Sequence, residues 1–194
     1  MRIEFGQLTI LNFKSVKELK LDLGKYEPGL HFLRGQNLIE PRLGSNGAGK
    51  STLFDALVWC LFGTTPNGLR NPDVRPWRAG AGQTRVQLQL FVGDVEWLIE
   101  RAISPNEIKL NGALSTQEAV EALLGLNLDL TLATIVLGQG QPLFLDLTPR
   151  DKLQVLNDAQ GLERWEERSK RAAAKVAELI KKQQGFDQDR KSVV

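Results

Sequence analysis

Apolar residues recur along this chain with two different periods, and the changes of period mark its elements. Residues 2–13 alternate or run apolar (Ile3, Phe5, Leu8, Ile10, Leu11, Phe13) and residues 19–23 alternate again, which predicts two strands joined by a turn around Lys14-Ser15. Leu30-His31-Phe32-Leu33-Arg34 predicts a third strand. Leu53, Phe54, Ala56, Leu57, Val58 and Leu61 then give a helix the broad apolar face that packing on a sheet requires. Residues 63–82 are rich in Gly, Pro, Asn and Arg and read as a long surface loop. Beyond it, TRVQLQLFV at 84–92 and VEWLIERAI at 95–103 predict a hairpin across Gly93-Asp94, and a short strand over 107–110 turns at Asn111-Gly112. Ser115-Thr116-Gln117-Glu118 opens a helix to about residue 124, residues 130–137 form a helical or extended segment, and Pro149 starts a helix ending near Gly161.

From Leu162 the pattern changes. Leu162, Trp165, Ser169, Ala172, Val176, Leu179 and Gln183 fall at alternating intervals of three and four, with Glu, Arg and Lys crowded between them, as in a coiled-coil seam. Only about three heptads precede Gly185, so an amphipathic helix docked on the domain is the other reading of the same spacing. The expected division is a globular lobe over 1–160 and the root of a coiled coil over 161–194.

Residues 44–51, GSNGAGKS, fit the phosphate-binding pattern G-x-x-x-x-G-K-[ST] at every fixed position. The glycines let successive N–H groups turn inward, the following helix adds the positive end of its dipole, and the Lys50 ammonium reaches β- and γ-phosphates. Ser51 supplies a hydroxyl for Mg2+, and Thr52 continues the helix start. The expected ligands are therefore ATP and Mg2+. Such a loop normally leaves directly from a buried strand, but Pro41 in Leu38-Ile39-Glu40-Pro41-Arg42-Leu43 forbids a central strand there. The feeding strand is then the one at 30–34. It runs into Gly35-Gln36-Asn37, a first version of the Gly44-Ser45-Asn46 that follows, so residues from about 36 to 43 read as an insertion.

Composition narrows the setting. The 194 residues suffice for one domain with a core, and at 42% hydrophobic no run is long enough to span a bilayer, so no membrane role is expected. The amino terminus lacks a signal-type apolar stretch and Cys60 is the only cysteine, which fits a reducing cytoplasm; Cys60 itself is expected to be packing. A net charge of +2 gives no strong nucleic-acid signal, although basic residues concentrate toward the carboxyl end.

The order of parts resembles the amino-terminal half of an SMC-superfamily ATPase head, nearest to the SbcC-type ATPase of DNA-repair nuclease complexes and its phage recombination relatives. The resemblance rests on Leu11-Asn12-Phe13-Lys14-Ser15, the GSNGAGKST loop with Leu53-Phe54-Asp55-Ala56-Leu57, the run Val136-Leu137-Gly138-Gln139-Gly140-Gln141 with Phe144-Leu145, and the heptads after them. It implies an α/β P-loop head of ABC type, its amino-terminal lobe carrying an antiparallel β subdomain and leading into a coiled-coil helix. It also implies that Lys14 and Ser15 lie beside the nucleotide, that Asn46, Gly47, Ala48, Gly49, Lys50, Ser51 and Thr52 hold the phosphates, and that Gln139 completes the magnesium shell and senses the γ-phosphate. On residues alone, a Gln between two glycines is equally a turn residue. Arg70 falls where such heads often keep a basic residue, and it is equally a solvated loop charge.

Several parts of the family pattern are missing. No LSGG-type signature, no strand ending in an Asp-Glu pair and no switch histidine is found; His31 comes too early, and Leu143-Phe144-Leu145-Asp146 is preceded by Pro142 and lacks the following Glu. In the family these parts follow the coiled coil, so the chain is expected to be half of a head. The implied partners are the carboxyl-terminal half of the same ATPase, a second head forming a homodimer, an SbcD-type nuclease and double-stranded DNA bound without base specificity, in a bacterial cell or phage-infected host. DNA would meet Arg164, Arg168, Lys170, Arg171, Lys175, Lys181 and Lys182, a cluster that Glu163, Glu166, Glu167 and Glu178 equally mark as a solvated helix face. Two rival readings remain open: a complete small P-loop kinase of a nucleotide or metabolite, using Asp146 or Asp55 for magnesium and Arg70, Arg75 and Arg78 in a lid, and a nucleotide-gated structural dimer without hydrolysis.

Overall fold

The computed structural model describes residues 2–38, 40–77, 80, 82–138 and 144–191. Two alternating segments open the chain and pair as antiparallel strands, β1 (Ile3–Phe13) and β2 (Val16–Asp22), around the turn at Lys14-Ser15. The phosphate-loop helix α1 spans Lys50–Phe62. The expected hairpin forms with its expected ends, β3 (Thr84–Val92) and β4 (Val95–Ile103), because period-two apolarity on both arms meets a Gly-Asp turn that reverses the chain. Strand β5 (Glu107–Leu110) turns at Asn111-Gly112, both at positive φ, into the two-residue β6 (Ala113–Leu114). Helices α2 (Gln117–Leu124) and α3 (Leu128–Thr134) follow, capped by Thr116 and Asn127, whose side chains accept from Ala119 N and Leu130 N. Of the two conformations the sequence allows for residues 130–137, the helical one is taken as far as the end of α3.

The strands form one antiparallel sheet in the order β2-β1-β3-β4-β5-β6. Strand β3 buries Thr84, Val86, Leu88 and Leu90 on one face, in register with Ile103, Arg101, Ile99 and Trp97 of β4. Against this sheet α1 packs Ala56, Val58, Trp59, Cys60, Leu61 and Phe62, and α2 adds Val120 and Leu124. Each large side chain buried in this way contributes roughly 1.5–3 kcal/mol. The register of β1 on β3 shifts between Phe5 and Leu8, a bulge at which the Gln7 N–H donates to Gln89 Oε1 at 3.2 Å.

Two expectations need correction. Residues 30–34 form no strand: they lie outside the sheet, with Leu30 102% and Phe32 92% exposed. A strand exists only through a partner ladder, and residues 30–34 pair with none of the six described strands. His31 is accordingly a coil residue, its Nε2 2.7 Å from the Glu27 carbonyl. The loop over 63–82 is not wholly on the surface, since Thr65 and Val74 are buried and Val74 O accepts from the Lys14 N–H at 2.8 Å. Phe144–Asp146 is a single 3-10 turn, in keeping with the absence of a strand expected after Pro142.

Two compact units divide the chain, Met1–Gly140 and Gln141–Val194. The second contains α4 (Pro149–Gln160), capped by Thr148 and ended by Gly161 in the left-handed conformation, and α5 (Leu162–Lys191). Helix α5 runs through Gly185 as one 30-residue element. Its apolar residues Leu162, Trp165, Val176, Leu179 and Ile180 stay exposed.

Candidate functional site

Residues 44–51 form a turn that leads directly into α1. Gly44, Gly47 and Gly49 have φ of 58°, 71° and 83°, a left-handed path that side chains resist and glycine does not. The N–H groups of the first helical turn, beginning at Lys50, have no intrahelical acceptor by the geometry of any helix, and they stand at its positive dipole end. Lys50 Nζ donates to the carbonyl and hydroxyl oxygens of Ser45 in the same loop. The structure therefore brings Asn46, Gly47, Ala48, Gly49, Lys50, Ser51 and Thr52 into one loop and helix start, with a cation curled over oxygen acceptors.

Lys14 reaches the same helix one turn further along. It sits in the β1–β2 turn with φ of 50°, and its Nζ donates to Asp55 Oδ2 at 2.7 Å in a largely buried ion pair. Asp55 lies one helical turn after Ser51, so the pair docks the β1–β2 turn on the helix that carries the loop. Ser15 is exposed at that turn.

Ser51 and Asp55 both line a cavity of about 800 Å³, otherwise mainly apolar, with Ile3, Phe54 and Leu57 in its wall. The run Val136, Leu137 and Gly138 lines the same cavity. Gln139, the next residue, lies outside the described residues, as do Gly140 and Gln141.

The carboxyl end of α1 is held by a network that the sequence pattern did not predict. Arg101 of β4, only 6% exposed, donates from Nε to the Cys60 carbonyl at 3.0 Å and from a terminal nitrogen to the Leu61 carbonyl at 3.3 Å and to Gln117 Oε1 at 2.6 Å. Gln117 in turn donates to the Leu61 carbonyl and to Glu121 Oε1. The guanidinium thus satisfies carbonyls that end the helix without intrahelical donors and opposes the negative dipole end. Burial pulls its pKa below the ordinary arginine value, with the neighbouring Cys60 and Glu121 opposing that. The signal was present in the sequence: in VEWLIERAI the inward positions read Trp97, Ile99, Arg101 and Ile103, a single charge on an apolar face. Cys60 is packing as expected, fully buried, its thiol pushed up to about 12 chiefly by desolvation.

This donor set fits a triphosphate: a loop kept open by left-handed glycines, a helix amino terminus and a lysine whose present acceptors are oxygens. It also fits magnesium held mainly by phosphate and water, since that ion needs only one or two protein oxygens and Ser51 offers one. No group of three His, Cys, Asp or Glu side chains suited to a metal occurs among the described residues. Nor is any helix among them long and apolar enough to cross a membrane.

Comparison with known proteins gives the same placement. The DNA double-strand break repair Rad50 ATPase of Methanococcus maripaludis is 26% identical over 140 residues, 66% of this chain and 14% of the relative. The Rad50 ATPase of Pyrococcus abyssi is 28% identical over 203 residues, 96% of this chain and 21% of the relative. The SbcC component of the SbcCD nuclease of Lactococcus lactis is 36% identical over 84 residues, 43% of this chain and 8% of the relative. The chain thus spans only a small part of each relative's length. Residues 7–193 match the family described as AAA domain, and the chain belongs to it as an amino-terminal ATPase-head segment of the Rad50 and SbcC type within the SMC superfamily.

Proposed function

We propose that this chain is the ATP-binding part of an SMC-like head that acts in DNA repair or recombination with a nuclease partner, and that hydrolysis requires a carboxyl-terminal segment and a second head. The observation that carries the reading is the left-handed Gly44-Gly47-Gly49 loop running into α1 with Lys50 at its first position. On triphosphate binding, Lys50 exchanges the Ser45 oxygens for β- and γ-phosphate oxygens, and the loop N–H groups take the remaining charge. Magnesium, when bound, neutralises phosphate charge and orients the γ-phosphoryl group; Ser51 and Gln139 are the residues assigned to hold it. Lys14 and Ser15 are assigned to the nucleotide's flank, with Lys14 oriented by Asp55.

Incompleteness is supported by surfaces that need a cover. The exposed segment 30–34 suits a strand that another segment would complete, and the exposed seam of α5 suits a returning helix of a coiled coil rooted near residue 161. Arg168, Lys170, Arg171, Lys175, Lys181 and Lys182 lie exposed on α5 and suit phosphate contacts with double-stranded DNA, although Lys182 also pairs with Glu178 at 2.7 Å. Calorimetric titration with MgATP, paired with phosphate-release assays of the chain alone and with a carboxyl-terminal segment, tests the reading. Binding that Lys50→Ala abolishes, with turnover near background until the segment is added, is the expected result. Robust turnover by the chain alone, linear in its concentration, would overturn it and favour a self-sufficient kinase.

A further inference from the structure

The insertion between residues 35 and 44 carries the chain past the phosphate loop twice, and the two passes touch. Asn37 N donates to the Gly44 carbonyl at 2.9 Å, closing the insertion at its neck. Within it, Leu43 N donates to Glu40 O, Gly44 N to Pro41 O and Asn46 N to Leu43 O, so the excursion is a compact turn around Pro41–Leu43. The Asn37 side chain works in both directions. Its Oδ1 accepts from Glu40 N at 2.9 Å, which fixes the orientation of the amide, and its Nδ2 donates to the Asn46 carbonyl at 3.1 Å. A Cβ on Gly47 would stand 3.2 Å from that Nδ2. One on Gly35 would stand 2.6 Å from Ala48 Cβ and 3.1 Å from Lys50 Cγ.

We infer that residues 35–37 form a second wall behind the phosphate loop and that Asn37 is a positioning residue for the triphosphate, a claim that rests on reading residues 44–51 as an ATP site. The mechanism follows from the planar peptide. The Asn46 carbonyl and the Gly47 N–H belong to one trans unit and point in opposite directions. Holding that carbonyl toward Asn37 turns the Gly47 N–H to the other side of the loop, as an anion cradle requires. Gly35 meets the need for closeness: no larger residue fits between the first pass and Ala48 without moving the loop. The duplication of Gly-Gln-Asn and Gly-Ser-Asn thereby acquires a role, the first copy shaping the second.

The test compares binding of MgATP and of inorganic tripolyphosphate, which has neither base nor ribose, to the whole chain and its variants. Asn37→Ala is expected to weaken both probes by about fivefold to tenfold, the worth of one neutral hydrogen bond. Asn37→Asp keeps the acceptor for Glu40 N but cannot donate to the Asn46 carbonyl, and it is expected to lose at least as much. Gly35→Ala is expected to weaken binding at least tenfold or so, and Ala48→Gly added to it to restore most of that loss, a coupling that a purely structural role would not give. Should Asn37→Ala melt early, this pair decides the matter. Wild-type binding with the Asn37 variants within about twofold and the Gly35 and Ala48 effects simply additive would overturn the inference while leaving the ATP site standing. If wild-type chain binds neither probe, the ATP reading fails and the second wall fails with it.

Discussion

Residues 84–103 and residues 30–34 are both apolar in the manner of strands, and only the first pair off. The β3–β4 hairpin finds partners within the chain on either side, β1 and β5, and buries Val86, Leu88, Leu90 and Ile99 against α1. Residues 30–34 find none among the described strands, and Leu30 and Phe32 are left in water. Apolar alternation reports what a segment would gain by burial, and it is silent on what the segment is buried against. The same contrast separates the two ends of α1: its carboxyl end sinks into a buried polar network around Arg101, whereas its amino end emerges as the exposed loop. A rigid helix with one anchored and one open end suits a site that must hold its geometry and still admit a ligand.

The sharpest attempt to break the contrast is Trp59→Ala. Trp59 is fully buried, meets the Phe13 ring in a tilted contact with centroids 5.4 Å apart, lies 5.9 Å from the Arg101 guanidinium and donates from Nε1 to Asn71 Oδ1 at 3.1 Å. Its loss is expected to cost about 3–5 kcal/mol in urea unfolding, because neither the sheet nor the loop at Asn71 can collapse into the space. A cost near zero would mean that the core around α1 is not what holds the first unit together.

Next in size is Arg101→Leu, expected to cost about 2–3 kcal/mol by the same measurement, since the Cys60 and Leu61 carbonyls and Gln117 lose a buried charged donor. Lysine should recover less than half, one ammonium being unable to span three acceptors set around a fork. Full rescue by lysine would reduce the network to a plain dipole effect.

Legibility in the sequence follows the same division. The hairpin ends, the turn at Asn111-Gly112 and the ends of α4 were readable because each is settled within a few residues by turn chemistry and period. The phosphate loop was readable because its backbone path demands glycines at fixed offsets. What escaped depends on residues far apart: Val74 buried beneath a Gly- and Pro-rich loop, Lys14 committed to Asp55, Arg101 reaching α1, and the first Gly-Gln-Asn pass seated on the second. None of these follows from local composition, although the lone arginine on the inward face of β4 was a visible anomaly.

A smaller effect tests the burial of α1 by pH. Cys60 holds its proton in the folded chain up to about 12, against about 9 for an ordinary thiol. Above 9 the unfolded chain therefore releases a proton that the folded chain retains, so stability present below that pH is lost as pH rises. The slope is at most about 1.4 kcal/mol per pH unit. Denaturant midpoints between pH 9 and 10 should fall more steeply for the wild type than for Cys60→Ala, in which lysine and tyrosine titration is common to both. Parallel curves would mean that the thiol is reached by water and that α1 opens locally.

The smallest effect is the most telling for the comparison. Phe32→Ser is expected to leave the stability of this chain unchanged to within about 0.5 kcal/mol, because an aromatic ring already in water has no burial to lose. The identical substitution made after a carboxyl-terminal segment is supplied should cost about 1.5–3 kcal/mol, the range for burying one large apolar side chain. The difference between the two measurements, rather than either alone, reads out whether segment 30–34 is a strand in waiting. If Phe32→Ser already costs more than about 2 kcal/mol in the chain by itself, this segment has partners within it, and the contrast with the β3–β4 hairpin dissolves. If the cost stays near zero in both, the segment is ordinary surface, and the case for a completing strand must rest on the exposed seam of α5 alone.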